Sequence, residues 1–541
     1  MQPSAHVDTF VRDHLPPLAQ WPELLFDVPE TRYPPSLNCA TELLDGAVGG
    51  GAGDRVAIYS GTRRLTYREL LAQANRIAAV LRDQLGLVPG ARVLVRGYND
   101  ATTAACWYGI LKAGCIAVTT MPLLRAIELR TVIEHARVNA ALCDARITAE
   151  LDAAVARCAS PVAVVRWNDA GSESLAERMT QHDGTFENVA TAADDPCLIA
   201  FTSGTTGRAK ATVHFHRDVL AICDTFAAQH VRATAADIFC GTPPLAFTFG
   251  LGGLLLFPAR ARAATLLLES PAPETLLGAI ASNGVTVCFA APTAYRAMTP
   301  HAPRYDLRSL RTCVSAGEAL PAATRAAWKA ATGIELIDGI GATEMLHIFI
   351  AASGDEIRPG ATGKPVRGFQ AAILDDEGKP LGPGQVGRLA VKGPTGCRYL
   401  ADERQTEYVE GGWNVTGDAY LRDDDGYYWY QARSDDMIVS SGYNIAGPEV
   451  EAVLLGHAAV RECAVVGAPD PDRGAIVKAF VVLHEGFVPN AATAERLQTF
   501  VKTLIAPYKY PRAIEFVESL PRTESGKVQR YRLRERAAEV T

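Results

Sequence analysis

Residues 198–210 read LIAFTSGTTGRAK, and this stretch decides the fold. Its apolar beginning, 198–201, is typical of a buried strand that runs directly into a loop rich in glycine and hydroxyl groups. Glycine lets successive backbone N–H groups point at one centre, and such a nest binds anions. The stretch therefore predicts a phosphate-binding loop rather than an ordinary surface turn. Its candidate binding residues are Thr202, Ser203, Gly204, Thr205, Thr206, Gly207 and Lys210.

The P-loop of ordinary nucleoside triphosphatases is the first alternative for this loop. It follows the pattern G-x-x-x-x-G-K-[ST], in which four residues separate the glycines. Here Gly204 and Gly207 lie only three positions apart, and Ala211 follows Lys210 where a P-loop has serine or threonine. The spacing disfavours a P-loop.

The composition indicates a globular protein with at least two domains. The chain has 541 residues, which is more than one ordinary hydrophobic core accommodates. Its composition, 48% hydrophobic and 21% charged, is ordinary for a globular protein. A net charge of −7 with dispersed basic residues argues against nucleic acid and anionic membrane as partners. The most apolar run, 245–258, is interrupted by three glycines and is too short to span a bilayer.

The cysteines and the first residues indicate the compartment. Twelve cysteines are scattered along the chain without a Cys-x-x-Cys pair, as is typical of buried thiols under reducing conditions. The opening residues, MQPSAHVDTFVRDHLPP, lack the charged and apolar segments of a secretory signal. We therefore expect a cytoplasmic protein.

The pattern of apolar residues predicts an α/β fold with layered, helix-covered sheets. Thr66 and Glu69 form a capping box before a helical pattern. Short apolar runs alternate with helices, as in largely parallel sheets. After residue 359 turn sequences become frequent, which predicts an antiparallel, barrel-like β region. The strands are expected at 92–96, 140–143, 162–166, 198–201, 285–289, 312–314, 369–374 and 387–392.

A small α+β domain is expected at 435–541, after a large domain at 1–434. About 105 residues with their own apolar helices and strands are enough for an independent core. Helices are predicted at 448–455 and 494–504. Strands are predicted at 462–467, 476–483 and 513–516.

Further motifs follow the glycine-rich loop in order: SAGE at 315–318, DGIGATE at 338–344, TGD at 416–418, Arg433, Asp435, SG at 441–442 and PRTESGK at 521–527. Together they resemble the motifs of the acyl-adenylate-forming superfamily. This superfamily contains acyl-CoA synthetases, firefly-type luciferases and the adenylation domains of peptide synthetases. The resemblance extends over nearly the whole chain. One departure is Ala209, where most members have proline, and it removes no hydrogen-bond donor.

The resemblance implies that a carboxylate attacks ATP, releases pyrophosphate and is then transferred from AMP to coenzyme A. It implies Lys527 and Thr343 at the α-phosphate, Mg²⁺ on Glu344, and a hinge at Asp435 for the small, mobile domain. Asp418 and Arg433 would contact ribose, and Ser441 and Gly442 the thiol substrate. The residues implied along adenine are Ser315, Ala316, Gly317, Glu318, Asp338, Gly339 and Ile340.

Two longer segments resemble the benzoate–CoA and 2-aminobenzoate–CoA ligase branch. They are DGIGATEMLHIF at 338–349 and the run at 243–257, supported by 213–219. Phe247 stands where many members have histidine, and Ile340 where many have an aromatic residue. Two phenylalanines give an apolar slot suited to a ring. The implied acid-binding residues are Phe247, Thr248, Phe249, Gly341, His347 and Ile348.

Several alternatives remain open. His347 is either a core histidine or a polar partner of the acid, whereas His214 and His216, at strand spacing, are interpreted as structural rather than metal-binding. A medium-chain or branched aliphatic acid is a second substrate class, and a homodimer is one compatible assembly. Because 14 residues follow Lys527, we expect coenzyme A rather than a fused carrier domain as acceptor.

Other functions are less favoured by the sequence. The aryl-ligase resemblance makes a luciferase-like oxygenase improbable, and a serine hydrolase would need a Gly-x-Ser-x-Gly elbow, which the chain lacks. A non-catalytic nucleotide-binding protein would have no need of Lys527.

Overall fold

The structure is a computed structural model that describes residues 3–202, 209–269, 271–433, 436–440, 443–470, 473–505, 509–523 and 526–539. Its strands form five sheets, and helices cover the large ones. Within these ranges no helix is both long enough and apolar enough to cross a membrane.

The strands, in chain order, are β1 Val56–Ser60, β2 Arg63–Thr66, β3 Arg92–Arg96, β4 Ile116–Thr120, β5 Ala140–Asp144, β6 Ala163–Trp167, β7 Pro196–Thr202, β8 Lys210–Phe215, β9 Ile238–Gly241, β10 Ala264–Leu267, β11 Val287–Ala290, β12 Thr312–Ala316, β13 Leu336–Gly341, β14 Ile348–Ala351, β15 Lys364–Pro365, β16 Gln370–Leu374, β17 Val386–Lys392, β18 Val409–Glu410, β19 Trp413–Arg422, β20 Tyr428–Arg433, β21 Met437–Ser440, β22 Tyr443–Ala446, β23 Val460–Asp470, β24 Gly474–Leu483 and β25 Ala513–Phe516.

The α-helices are α1 Phe10–Asp13, α2 Tyr67–Ala79, α3 Ala101–Lys112, α4 Ala126–Ala136, α5 Thr148–Val155, α6 Leu175–Met179, α7 His216–Ile222, α8 Thr248–Leu251, α9 Phe257–Ala261, α10 Pro273–Asn283, α11 Pro292–Met298, α12 Ala322–Thr332, α13 Gln405–Tyr408, α14 Gly447–Leu455, α15 Ala491–Leu504 and α16 Arg530–Glu539. Some of them continue as π-helical turns, such as Val80–Gln84 after α2 and Cys223–Val231 after α7.

Two large sheets form the main body. One has the strand order β6-β5-β3-β4-β7-β8, and the other β15-β14-β13-β12-β11-β9-β10-β1-β2. Their central strands pair in parallel, while β8, β14, β15 and β2 join the sheets antiparallel. The predicted α/β class is confirmed.

Alternating burial explains the layered architecture. Val93 and Val95 of β3 share one core with residues of the nine-stranded sheet and with α2 and α3, whereas Leu94 faces a second core that includes α4 and α5. A third core, with α10–α12, covers the far face of the nine-stranded sheet. Because each large sheet is buried on both faces, its strands are continuous apolar runs.

The antiparallel region predicted after residue 359 is a five-stranded sheet of β16, β17, β19, β18 and β20. The chain then forms the hairpin β21–β22 and the three-stranded sheet β23-β24-β25. Helices α14 and α15 pack on one face of that sheet and α16 on the other, which gives it two cores of its own.

Most local sequence signals correspond to the structure. The capping box is formed, since the Thr66 hydroxyl accepts from the Glu69 N–H and Glu69 accepts from the Thr66 N–H. The helices and strands predicted within 448–516 are present with shifts of one to a few residues at their ends. The β21–β22 hairpin and α16 were not predicted, because neither has a strong apolar period of its own.

Candidate active site

The predicted phosphate loop connects two antiparallel strands. Thr202 ends β7 and pairs directly with Lys210, which begins β8. The Lys210 ammonium lies 5.0 Å from the centre of the Tyr399 ring. Five of the predicted phosphate-binding residues lie outside the described residues: Ser203, Gly204, Thr205, Thr206 and Gly207.

The Thr343–Glu344 pair lies in a 3₁₀ turn, Thr343–Met345, directly after β13. The Tyr399 hydroxyl donates to Glu344 Oε1 at 2.5 Å, and His214 Nε2 donates to the Thr343 carbonyl oxygen at 2.8 Å. Glu344 is buried, with 8% of its surface exposed. Sequence reasoning missed Tyr399 altogether and assigned His214 no contact with the site.

The predicted ribose contacts come together on neighbouring strands. Asp418 of β19 pairs with Arg433 of β20, and Arg433 Nη1 lies 3.1 Å from Asp418 Oδ1. Burial raises the pKa of Asp418, although Arg433 and a hydrogen bond with Thr416 act in the opposite direction. The Asp418 carboxylate is therefore held by an ion pair with Arg433 on the neighbouring strand.

The two segments predicted along adenine end adjacent parallel strands. Ser315 of β12 pairs with Asp338 of β13, and Ala316 pairs with Gly339. Chain reversal after β12 uses Gly317 at φ +90°, where an added Cβ would meet no atom within 4 Å. The neighbouring residues, Glu318 and Ile340, are both half-buried.

Asp338 is an unusual carboxyl group. Burial raises its pKa to about 7, against a weaker effect of Arg325. Burial raises the pKa of the Tyr420 phenol, and the charges of Asp418 and Asp338 add to this effect.

Lys527, near the end of the chain, is influenced by charges from these segments. Desolvation lowers its pKa, and the charges of Glu318, Asp418 and Glu344 partly offset this effect while Arg433 adds to it. Lys527 itself is exposed to solvent. A residue from the end of the chain thus joins carboxylates from three separate strands and turns.

The predicted hinge residue Asp435 and the predicted thiol-loop residues Ser441 and Gly442 lie outside the described residues. Arg433, which ends β20, and the hairpin β21–β22 are the described neighbours of these positions.

An aromatic cluster surrounds His347. Its imidazole centre lies 4.6 Å from the Phe257 ring centre, 5.3 Å from Phe226, 5.7 Å from Phe249 and 6.4 Å from Phe289. Burial lowers the pKa of His347 to about 3, against a weaker effect of the Phe249 backbone, so the ring is neutral at pH 7. Neither ring nitrogen makes a well-formed hydrogen bond within the described part of the chain.

The other predicted acid-binding residues flank this cluster. Phe247 directly precedes α8, Thr248 begins it, and Phe249 packs against His347. Gly341 pairs with Ile348 across β13 and β14, and a Cβ at Gly341 would lie 2.7 Å from the His347 carbonyl oxygen. Only glycine therefore fits this close approach of two backbones.

The two histidines of β8 and α7 face different surroundings. His214 contacts the Thr343 turn, whereas His216 Nδ1 lies 3.2 Å from Cys39 Sγ in a buried group with Cys197. The Cys39 N–H also donates to that imidazole nitrogen. The pair does not form one metal centre.

The oxygen donors at Glu344 suit Mg²⁺ better than the two histidines do. A carboxylate oriented by a hydrogen bond, with a threonine next to it in the sequence, offers the hard oxygen ligands that Mg²⁺ prefers. The residues present thus fit the implied ion.

Comparisons with known proteins agree with this geometry. The chain is 34% identical over 512 residues to a benzoate–CoA ligase of Thauera aromatica. The aligned region covers 94% of this chain and 97% of that protein. Its fold matches the crystal structure of anthranilate–CoA ligase AuaEII in complex with anthranoyl-AMP, with a TM-score of 0.90 and 33% identity over 95% and 99% of the two chains. A benzoate–CoA ligase from Burkholderia xenovorans LB400 matches with a TM-score of 0.84 and 32% identity over 92% and 100%.

The AMP-binding enzyme family matches residues 47–399, and the AMP-binding enzyme C-terminal domain matches 449–527. The first range contains the phosphate loop and the Thr343–Met345 turn, and the second ends at Lys527. The order of motifs, the layered fold and these two matches lead to one conclusion: the chain belongs to the AMP-binding enzyme family.

Proposed function

We propose that this protein is an AMP-forming aryl–CoA ligase, which activates an aromatic carboxylate with ATP and transfers the acyl group to coenzyme A. One observation carries the proposal: the charges of Glu344 and Asp418, at the expected magnesium and ribose positions, both act on the Lys527 ammonium from the far end of the chain. The benzoate–CoA and anthranilate–CoA ligases to which the chain is similar act on such acids.

In the first step the substrate carboxylate attacks the α-phosphorus of ATP, and pyrophosphate leaves. This displacement depends on positioning and on charge stabilisation more than on covalent help from the protein. Lys527 bridges the attacking carboxylate and the α-phosphate. Thr343 donates its hydroxyl to the same phosphate, and the 202–210 loop holds the departing phosphates.

The remaining nucleotide contacts follow from the strand ends. Asp418, held by Arg433, accepts hydrogen bonds from the ribose hydroxyls. Segments 315–318 and 338–340 line the adenine. Glu344, oriented by Tyr399, would hold Mg²⁺, which would offset phosphate charge.

In the second step the coenzyme A thiol attacks the acyl carbonyl, and AMP leaves as a good leaving group. The proposal divides the chain into domains 1–434 and 435–541, which rotate about Asp435 between the steps. The rotation withdraws Lys527 and brings Ser441 and Gly442 to the thiol. The separate cores on the two faces of the β23–β25 sheet support this division.

The acid is proposed to lie between Phe249, Gly341 and His347, with Phe247, Thr248 and Ile348 around it. The close backbone approach at Gly341 leaves a flat surface, and aromatic rings pack well on such surfaces and against each other's edges. The neutral imidazole supplies a hydrogen-bonding group for a polar ring substituent.

The proposed location is the cytoplasm. The twelve cysteines are free, and all but Cys158 are buried, which suits a reducing compartment. A homodimer stays a prediction of the sequence.

The test is AMP release that depends on both ATP and coenzyme A, measured across a panel of acids. The panel contains benzoate, 2-aminobenzoate, hydroxybenzoates, fluorobenzoates and straight-chain acids of four to ten carbons. We expect the highest kcat/KM with an unsubstituted or ortho-substituted benzoate.

Each alternative has its own outcome in this assay. Aliphatic acids are an alternative because an apolar pocket discriminates among similar shapes by only about 1–3 kcal/mol per methylene. Activity confined to the straight-chain acids overturns the aromatic assignment. Acyl-AMP formation without thioester formation indicates a carrier protein as acceptor. Nucleotide binding without any pyrophosphate release indicates a non-catalytic protein.

A further inference from the structure

A buried ion pair lies behind the Thr343–Met345 turn, outside the contacts proposed for the substrates. Asp218, near the start of α7, and Arg398, six residues after β17, are both fully buried. Arg398 Nη1 lies 2.9 Å from Asp218 Oδ2. Burying two charges costs free energy that apolar residues of similar size would not, so such a pair calls for an explanation.

Three side chains hold three successive residues of the turn. His214 donates to the Thr343 carbonyl at 2.8 Å, the Tyr399 hydroxyl donates to the Glu344 carboxylate at 2.5 Å, and the Thr395 hydroxyl donates to the Met345 carbonyl at 2.8 Å. The turn is therefore fixed from outside at every residue.

These three side chains come from only two pieces of chain. His214 belongs to β8, and Thr395 and Tyr399 belong to the segment 395–400 that follows β17. The two pieces run antiparallel: the Val213 N–H donates to the Arg398 carbonyl at 2.8 Å, and the Leu400 N–H donates to the Ala211 carbonyl at 2.9 Å. The position of Tyr399 relative to His214 therefore depends on this pairing.

The Asp218–Arg398 pair joins the same two pieces through their side chains. Asp218 Oδ2 also accepts from the Phe215 N–H at 3.1 Å, so the carboxylate is tied to the end of β8. The guanidinium lies between two rings, 4.0 Å from the centre of Phe215 and 5.0 Å from Trp21. Although burial alone would raise it, the Arg398 charge brings the pKa of Asp218 down to about 2.

We infer that Asp218 and Arg398 are positioning residues for the turn that holds Glu344. The pair locks β8 to segment 395–400, and thereby aligns His214 and Tyr399 on the Thr343 carbonyl and the Glu344 carboxylate. This inference rests on the proposed adenylation, since it assigns the ion pair to the proposed magnesium and α-phosphate site. Groups that orient a metal ligand typically affect metal affinity or activity about 10- to 100-fold.

Three variants separate positioning from folding. Tyr399→Phe removes only the hydroxyl that orients Glu344. The double variant Asp218→Asn with Arg398→Met removes both charges, so it leaves no unpaired buried charge. Asp237→Asn is the control: it breaks an ion pair between the buried Asp237 and the exposed Arg311, 2.6 Å between Oδ2 and Nη2, just before the first residues of β9 and β12.

Two measurements are needed besides the melting temperature of each variant. The first is calorimetric binding of ATP with and without Mg²⁺, together with metal-free AMP. The second is the rate of each half-reaction: pyrophosphate release with ATP and benzoate, and thioester formation from supplied benzoyl-AMP.

We expect Tyr399→Phe and the double variant to weaken ATP binding about tenfold with Mg²⁺ present, yet to change metal-free AMP binding less than twofold. The adenylation rate falls by a similar or larger factor, while thioester formation from benzoyl-AMP is unchanged. Asp237→Asn lowers the melting temperature. It leaves the ratio of ATP affinity with Mg²⁺ to metal-free AMP affinity, and the ratio of the two half-reaction rates, as in the wild type.

The inference is overturned if the double variant folds and its Mg²⁺-dependent ATP affinity equals that of the wild type. Equal loss of both half-reactions, as in a merely destabilised protein, overturns it as well. Failure of the proposed function is distinguishable, because the wild type then releases no pyrophosphate with any acid, while the calorimetric comparison among variants still reports on the turn.

Discussion

The side chains proposed to bind the nucleotide and those proposed to bind the acid are arranged differently. On the nucleotide side, charged groups are paired across elements: Asp418 with Arg433, and Glu344 with Tyr399. On the acid side, His347 is buried among four phenylalanines without a well-formed hydrogen bond in the described part of the chain. One half is fixed before any substrate arrives, and the other leaves a polar group that a ligand can satisfy.

The two arrangements match the two kinds of ligand that they are proposed to bind. Every member of such a family binds the same ATP. The proposed nucleotide site therefore consists of short motifs that supply the same binding groups. The acid differs between members, and its site consists of packing around a few backbone positions. An unpaired buried imidazole costs free energy in the empty protein, and a matching ligand recovers it.

The largest expected effect comes from Lys527→Ala on the nucleotide side. Loss of the charge that bridges carboxylate and α-phosphate lowers the adenylation rate by about 10³-fold. Thioester formation from supplied benzoyl-AMP is largely retained, because Lys527 is withdrawn in that step. Pyrophosphate release and thioester formation are measured separately.

Lys502→Ala is the control for this variant, since Lys502 is an exposed cation on α15 of the same small domain. It leaves both half-reactions unchanged. An equal loss of the two half-reactions in Lys527→Ala would sink the proposed role of the lysine.

On the acid side, Gly341→Ala places a Cβ 2.7 Å from the His347 carbonyl oxygen and 2.9 Å from the Ile348 nitrogen, so β13 and β14 must separate. We expect kcat/KM for benzoate to fall about 100-fold, as a displacement of about 1 Å at a reacting group does. The affinity for AMP changes only a few-fold, which calorimetry measures.

Gly278→Ala serves as its control, because a Cβ at that helical position meets only Tyr305 at 3.6 Å, an ordinary contact. A similar loss of AMP affinity and benzoate activity in Gly341→Ala would contradict the separation of the proposed nucleotide and acid sites.

Asp338 gives the nucleotide side a pH signature. Its folded-state pKa of about 7 lies above its ordinary value, so the folded protein binds more protons than the unfolded chain between these values. Stability is therefore lost as pH rises toward and through 7. Relative to Asp338→Asn, we expect the wild type to lose about 2 kcal/mol of unfolding free energy between pH 5 and pH 8.

Denaturant unfolding of the ligand-free protein at the two pH values measures this difference. Glu318→Gln, a change at another half-buried carboxylate of the proposed nucleotide site, provides the comparison. Parallel pH profiles for wild type and Asp338→Asn would show that Asp338 is ionised like an ordinary carboxylate.

The smallest effect is expected for His347→Leu. Replacing an unpaired buried imidazole by an apolar side chain of similar size raises the free energy of unfolding by about 1 kcal/mol. It also lowers the ratio of kcat/KM for 2-aminobenzoate over benzoate by about tenfold, because the partner of the polar substituent is lost.

Phe257→Leu is the matched control, since Phe257 packs 4.6 Å from His347 in the same cluster and carries no polar atom. It lowers stability and leaves the substrate ratio unchanged. A constant ratio in His347→Leu would make His347 a core residue without a role in substrate choice.

Local elements were predictable where one signal dominated. The capping box at Thr66, the strand before the phosphate loop and the helices of the small domain follow from side-chain chemistry and apolar period alone. The hairpin β21–β22 and helix α16 were missed, because their sequences are stabilised by packing onto neighbouring elements rather than by a strong pattern of their own.

At the proposed site, the motifs named Glu344, Asp418 and Lys527, but gave no sign of what orients them. Tyr399 lies 55 residues from Glu344, and the Arg398–Asp218 pair spans 180 residues. Such contacts depend on how β8, segment 395–400 and the Thr343–Met345 turn meet in space. His214 was visible as a buried histidine, yet its partner, a backbone carbonyl, has no sequence signature.

The layered α/β fold, the family and the residues proposed to bind ATP follow from the sequence alone, because glycine, hydroxyl and charged residues at fixed spacing have few other physical uses. Tertiary structure alone decided which carboxylates face Lys527, why Gly341 admits no side chain, and why His347 is neutral. These properties depend on distances between elements and on burial, and both arise only when distant parts of the chain pack together.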